Sequence, residues 1–216
     1  MRSFFVTGTD TEIGKTYVSA ALLRALTARG QTVAPMKPVA SGAITTPDGL
    51  RSEDALALLD AAGGNWSYGA VNPYCFEPPI APHVAAAEAG VEITIDRIQS
   101  AFEMLSAQAD RVIVEGVGGW CVPLGDDLEL GDVVRALDLP VVVVVGLRLG
   151  CLNHALLTVR QLLADGMTVA GWVANAVDPA MDLREDNIAA LSERIPVPRI
   201  GYLPHGVEEL HLEAVL

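Results

Sequence analysis

Apolar positions along this chain switch repeatedly between two periods. Phe4, Phe5 and Val6 form a short unbroken run; after a polar turn, Val18, Ala21, Leu22, Ala25 and Leu26 follow at i, i+3, i+4, i+7 and i+8. The first pattern predicts a buried strand over residues 3–8 and the second a helix over 14–29, closed by Arg29-Gly30. Residues 32–37 predict a second strand, in which Pro35 argues against a central position. Residues 43–51 predict a polar loop, and a helix is predicted from Ser52 with Leu56, Leu59 and Ala62 inward. Residues 63–92 predict a long irregular segment, in which His83 could touch a ligand, although a structural or solvent-facing role is the commoner one for such a residue. Thr94 can cap a helix whose apolar face is Ile95, Ile98, Phe102, Leu105 and Ala109. Strands are predicted over 112–115, 141–145, 169–175 and 196–200. Helices are predicted over 130–137, from 150 with Ala155, Leu156 and Val159 apolar, and over 182–194. In the last, Asp182 is the cap and Leu183, Ile188, Leu191 and Ile195 face inward; a loop over 201–206 and a short acidic tail helix follow. This alternation implies an α/β fold: one domain over 1–216, with a mostly parallel sheet, right-handed crossovers and flanking helices.

The turn between the first strand and helix reads Gly8-Thr9-Asp10-Thr11-Glu12-Ile13-Gly14-Lys15-Thr16. Strand, glycine-bounded turn, Gly-Lys-Thr and helix is the sequence form of a phosphate-binding loop. Small residues let backbone N–H groups face phosphate oxygens, and the helix N-terminus adds partial positive charge. Lys15 supplies a point charge for the β- and γ-phosphates and Thr16 a hydroxyl for Mg²⁺. The spacing is one residue longer than the strict pattern, with five residues between Gly8 and Gly14.

Charge sharpens this reading. The net charge is −13, which repels nucleic acid and anionic membranes and makes any polyanion site depend on local cations. Twelve of the fourteen basic residues are arginine; the lysines are Lys15 and Lys37. In a chain that otherwise uses Arg, two lysines point to places that need a compact ammonium with rotatable donors. Lys37 and Ser41 follow the second strand, at the end of the sheet where an open α/β fold puts its ligand. Three widely spaced cysteines, Cys75, Cys121 and Cys151, suit reduced thiols of a cytosolic protein. The chain starts on a strand with no secretory signal pattern, and its longest apolar run, residues 140–147, is too short to span a bilayer.

Three further segments bear on chemistry. Val114-Glu115-Gly116-Val117-Gly118-Gly119 ends an apolar strand in one acid followed by glycines, so Glu115 is placed to hold Mg²⁺ directly or through water. Glu53 and Asp54 lie in the first turn of the Ser52 helix; both complement its dipole, or one is a second Mg²⁺ carboxylate. Gly150-Cys151-Leu152-Asn153 opens another helix after a strand, where spacing alone is satisfied by simple capping.

Taken together, residues 8–16, 37–42, 114–119 and 150–154 resemble the dethiobiotin synthetase family, in order over roughly residues 3–206. The family's loop has the same displaced first glycine. The resemblance implies ATP- and Mg²⁺-dependent carboxylation of 7,8-diaminononanoate with CO₂, then ring closure to dethiobiotin with release of ADP and phosphate. It implies ATP contacts at Glu12, Ile13, Gly14, Lys15, Thr16, Tyr17, Asp54, Glu115, Gly116, Val117 and Gly118. Adenine would lie near Asn175 and Pro204-His205-Gly206, although Ala176 departs from the polar residue common in the family. Mg²⁺ would be held by Thr16, Asp54 and Glu115. Lys37 and Lys15 would be catalytic, with Thr11, Glu12 and Ser41 on carbamate and phosphate. The substrate would meet Lys37, Ser41 and Gly118, with its carboxylate at Gly150, Cys151, Leu152 and Asn153 of the partner subunit in a homodimer.

Three other readings have weaker support. A regulatory ATPase of this class carries an extra lysine at the start of its loop, absent here. An amidotransferase relative would add a glutaminase domain. A non-catalytic interaction domain would not need Lys15, Thr16, Lys37, Asp54 and Glu115 together.

Overall fold

A computed structural model describes residues 3–212. In chain order its elements begin β1 (Phe4–Gly8), α1 (Lys15–Thr27), β2 (Val33–Met36), β3 (Val39–Ser41), β4 (Ile44–Thr46) and β5 (Gly49–Arg51). Then come α2 (Glu53–Ala62), α3 (Tyr68–Val71), β6 (Tyr74–Phe76), α4 (Pro82–Glu88), α5 (Ile95–Ser106) and β7 (Arg111–Glu115). The last are α6 (Leu130–Ala136), β8 (Val141–Gly146), α7 (Cys151–Ala164), β9 (Val169–Asn175), α8 (Arg184–Arg194), β10 (Arg199–Leu203) and β11 (His211–Leu212).

The main sheet has the order β11-β10-β9-β8-β1-β7-β2. Its last six strands are parallel, and β11 is antiparallel to β10. The first strand is therefore central. Val6 sits beside Glu115 of β7, and Gly8 beside Val144 of β8. Strand alternation divides the core between the two faces: Phe4 and Val6 pack with α1, whereas Phe5 packs with the cluster that includes α5 and α7. The five valines of β8 are all buried, each contributing about 1.5–3 kcal/mol relative to exposure. The chain leaves β1 for β2 on one side and β8 pairs on the other, so the order reverses beside β1. An open α/β sheet forms its ligand crevice at the carboxyl ends of strands around such a reversal.

Several boundaries differ from the sequence expectation. Residues 43–51 contain an antiparallel hairpin, β4 with β5, because Asp48-Gly49 supplies the turn, with Gly49 at φ 99°. The segment 63–92 is ordered by α3, β6 and α4, and β6 pairs in parallel with β3. In α2 Ala62 is buried and Leu59 packs half-buried against the core, as expected, but Leu56 is exposed, and Ala55 and Leu58 are the fully buried residues. Helix α8 starts at Arg184, and Leu183 is an exposed left-handed residue before it, not an inward one. The last parallel strand runs three residues later than expected and takes in Gly201 to Leu203. No tail helix forms among the described residues; the chain adds β11, and the expectation for residues 213–216 lies outside them. Pro35 does sit on an edge strand, since β2 pairs with β7 alone.

Candidate active site

The phosphate-loop sequence folds back over the end of β1. A Cβ on Gly8 would lie 2.8 Å from Ile13 Cδ1 and 2.9 Å from Lys15 Cγ, so the displaced glycine is what lets the loop close down on the strand. Ile13 is buried and plugs the space between Gly8 and Gly146. Its carbonyl accepts from Asn175 Nδ2 at 2.8 Å, which ties the loop to the end of β9. Gly14, at φ 76°, starts α1 with no side-chain cap, leaving the first-turn N–H groups without a side-chain partner. Glu12 holds φ 58°, an uncommon backbone state for a residue with a Cβ. The loop is thus built from the sheet side. Gly146→Ala would place a Cβ 2.7 Å from Ile13 Cβ and 3.3 Å from its backbone; the variant is expected to lose about 1–3 kcal/mol of stability by urea unfolding and to bind ATP at least tenfold more weakly by titration.

Five side chains from four elements meet beside the loop. Thr16 Oγ1 lies 2.9 Å from Asp54 Oδ1 and 2.8 Å from Glu115 Oε1. Lys37 Nζ donates to Glu115 Oε1 at 2.7 Å, Asp54 Oδ2 at 2.8 Å and Gly116 O at 3.1 Å. Lys15 Nζ donates to Asp10 O at 3.1 Å. Their placement follows from the fold: Thr16 opens α1, Lys37 follows β2, Asp54 lies in the first turn of α2 capped by Ser52, and Glu115 ends β7. Two ammoniums and two carboxylates balance one another. The Thr16 hydroxyl has one hydrogen for two carboxylates, and Glu115 Oε2 is buried without a partner. Hard oxygens converging with an orphan acceptor suit a small cation that completes its shell with water and substrate phosphate, as Mg²⁺ does. Among the described residues no three His, Cys, Asp or Glu side chains form a metal group on their own.

Burial pushes the Lys15 ammonium down to about 8, and the nearby Lys37 charge acts in the same direction. Burial would lower Lys37 too, but Glu115 and Asp54 outweigh it and hold that ammonium above its ordinary value. Burial would raise Asp54; the charge and hydrogen bond of Lys37 and the bond from Thr16 bring its carboxyl below the usual range.

A cleft of about 720 Å³ collects most of the expected residues. Thr11, Glu12, Gly14, Lys15, Thr16, Tyr17, Lys37, Ser41, Asp54, Val117 and Gly118 line it. Ile13 and Gly116 contribute from below, through backbone carbonyls that accept from Asn175 and Lys37. Asn175 is buried, and its amide is engaged with the loop. Pro204, His205 and Gly206 stand outside the lining, with His205 Nδ1 3.1 Å from Ala176 O. Gly150, Cys151, Leu152 and Asn153 are also outside it, at the uncapped start of α7, where Gly150 has φ 95°. An ion pair links the two places, as Arg148 Nη2 bonds Asp10 Oδ2 at 2.5 Å. Sequence reasoning missed Arg24, Asp60 and Glu208 on the rim, where Arg24 and Glu208 pair at 3.2 Å. Arg24 lies at i+7 from Tyr17, a helical repeat that offered the signal. A cleft of about 790 Å³ near His83, Ile93 and Leu128 is slightly larger but gathers no comparable set of opposed charges.

A central strand, a glycine loop, a helix-opening lysine and threonine, and an acid on the neighbouring strand define a phosphate-loop nucleotide-binding protein. Solved structures share the fold: the signal recognition particle receptor FtsY of Elizabethkingia anophelis (TM-score 0.56, 17% identity, 98% of this chain and 62% of that one). The MinC:MinD cell division complex of Aquifex aeolicus is similar (TM-score 0.55, 17% identity, 94% of this chain and 81% of that one). A family described as an AAA domain matches residues 2–209. The ATP-dependent dethiobiotin synthetase BioD of Xylella fastidiosa is 51% identical over 95% of this chain and 91% of its own length. Those of Xanthomonas oryzae and Pseudomonas paraeruginosa are 54% and 55% identical over 94% of this chain and 90% of theirs. The chain belongs to the ATP-dependent dethiobiotin synthetases, enzymes of biotin biosynthesis.

Proposed function

We propose that this chain, as one domain over 1–216, converts 7,8-diaminononanoate, CO₂ and MgATP to dethiobiotin, ADP and phosphate. The observation that carries the reading is Lys37, a buried ammonium shared by Asp54 and Glu115 beside Lys15 and the phosphate loop. One substrate amine adds CO₂ and loses a proton, giving a carbamate. A carbamate oxygen attacks the γ-phosphorus as the bond to ADP breaks. The second amine then attacks the carbonyl of the mixed anhydride; phosphate leaves, a proton is lost and the cyclic urea closes. Phosphoryl transfer of this kind needs mainly positioning and charge neutralisation. Lys15 stabilises the transferring group, and the first-turn N–H groups of α1 hold its oxygens. Lys37 bridges carbamate and γ-phosphate, two anions that otherwise repel, with Thr11, Glu12 and Ser41 fixing their orientation. Thr16, Asp54 and Glu115 would hold Mg²⁺, which would supply neutralisation of the phosphate charge. Ring closure is intramolecular, so fixing the two amines supplies much of its rate.

The substrate carboxylate binds at the α7 N-terminus of a partner subunit, through Gly150, Cys151, Leu152 and Asn153. That start has no side-chain cap, and the adjoining Leu149 is 97% exposed, an apolar residue that a homodimer would cover. Adenine lies toward Pro204, His205 and Gly206, beyond Asn175. The protein is cytoplasmic, which its three free cysteines suit, and at −13 it partners neither nucleic acid nor membranes. No helix among the described residues is long and apolar enough to cross a membrane. ADP release should require both the diamine and bicarbonate, with dethiobiotin as product by mass spectrometry. ADP release indifferent to the diamine would replace the reading with a switch ATPase.

A further inference from the structure

A hydrogen-bond circuit behind the active site connects the two ends of the Lys37–Asp54 pair. Ser52, the buried cap of α2, donates its N–H to Tyr68 Oη at 2.7 Å. Tyr68 Oη donates to Asn72 Oδ1 at 3.0 Å. Asn72 is 3% exposed, and its Nδ2 donates to Lys37 O at 2.7 Å and to Tyr74 O at 3.0 Å. The backbone N–H of Lys37 donates in turn to Val71 O at 2.7 Å. Both main-chain polar groups of Lys37 are therefore held by the end of α3, and the same end is tied by one phenol to the helix that carries Asp54.

We propose that Tyr68 and Asn72 are positioning residues that set the separation of Lys37 and Asp54 in the active site. They touch no substrate. Without them the Lys37 backbone keeps only its N–H bond to Val71 O, on the short segment after edge strand β2, and the α2 main chain is linked to it only through the Asp54 side chain. The phenol is well suited to the task. Burial keeps Tyr68 protonated, up to about 12, so its one hydrogen is available for Asn72 while its oxygen accepts from Ser52. The Arg51 guanidinium lies 4.1 Å over its ring and fixes the ring plane independently of the hydroxyl. Tyr68→Phe thus removes the link and leaves the packing. The idea rests on Lys37 acting in the proposed reaction, but its geometric half is testable without any substrate.

With two lysines in the chain, ¹⁵N-lysine labelling gives two side-chain ammonium signals, from Lys15 and Lys37. The Lys37 signal should exchange slowly with solvent in the wild type, because three acceptors surround it in a buried site. In Tyr68→Phe and in Asn72→Asp that signal is expected to shift and exchange faster. The dethiobiotin-forming kcat should fall about tenfold, with the KM for ATP within about twofold. Tyr74→Phe is the control: its Oη accepts the Thr94 N–H at 2.9 Å and lies 3.2 Å from Thr94 Oγ1, so the phenol lost there bonds no member of the circuit, and signal and kcat should stay as in the wild type. A Lys37 signal unchanged in both variants overturns the proposal, as does a shifted signal with kcat unchanged. Both variants are compared well below their melting temperatures, so lost stability alone moves neither readout. If the wild type forms no dethiobiotin, the functional reading fails, while the ammonium exchange still decides the positioning role.

Discussion

Lys37→Ala is expected to lower kcat by about 10³-fold or more while leaving a folded protein that still binds ATP through Lys15. The ammonium has two tasks in the structure, and the variant separates them. Lys37 is the cation between Asp54 and Glu115, at 2.8 and 2.7 Å. On the proposed mechanism those carboxylates would also hold Mg²⁺, and the ammonium would serve carbamate and phosphate. Removing it leaves Glu115, fully buried, without its ammonium partner. The melting temperature of Lys37→Ala should therefore drop in chelator and recover with Mg²⁺ more than that of the wild type, because an ion that binds only the folded site stabilises it. Lys37→Arg should also fail. A planar guanidinium fits poorly in a site that is 2% exposed and floored by the Gly116 carbonyl. Near-normal turnover in the Arg variant would sink the lysine-usage argument, and unchanged turnover in the Ala variant would remove Lys37 from the mechanism.

Lys15→Met should have opposite effects on binding and on stability. Nucleotide binding is expected to weaken by about 10²-fold or more, since the loop loses its point charge. The ligand-free variant should nevertheless be more stable than the wild type at pH 7. Folding takes the Lys15 ammonium from 10.5 to about 8, so a charge is buried at a cost of up to about 3 kcal/mol. Below pH 8 the group is charged in both folded and unfolded chains and the whole cost is present. As pH rises from 8 to 10.5 the folded form releases its proton first, and the cost fades. The advantage of Lys15→Met in urea unfolding should then be largest at pH 7 and small near pH 10.5. An advantage independent of pH would mean that the methionine acts through packing. Bound phosphate reverses the sign for the wild type by giving the ammonium a partner, so the same lysine that weakens the empty protein strengthens the loaded one.

Most of the sheet was legible because its central strands are hydrophobic on both faces. The run of valines in β8 and the Phe4 to Val6 run admit few other readings. The hairpin β4–β5 and the short strand β6 were not legible. Their residues are few and partly exposed, and β6 is fixed by pairing with β3, a tertiary contact that no local pattern announces. The exposed Leu183 misled for a different reason: it falls on the helical period but precedes the helix in a left-handed conformation. In the site, Lys15, Thr16 and Glu115 could be read from motifs, and Lys37 from its rarity in an arginine-rich chain. By residue pattern alone Asp54 and Glu53 were equivalent, and the family resemblance pointed to Asp54; the turn of α2 brings Asp54 to Thr16 and Lys37. Tyr68 and Asn72 left no trace, since their importance lies in hydrogen bonds to backbone atoms, which any residue possesses.

Pro35 in β2 also governs how copies of this protein can meet. Its ring removes one donor from the outer edge of the sheet, and at the opposite edge β11 contributes only two described residues. Among the described residues neither border strand offers a long ladder of free backbone groups onto which a second sheet could grow. Fibrils and domain-swapped ribbons are correspondingly disfavoured, even though the valine-rich interior would be an aggregation hazard in an exposed strand. Self-association is left to side-chain surfaces, which can be specific and reversible.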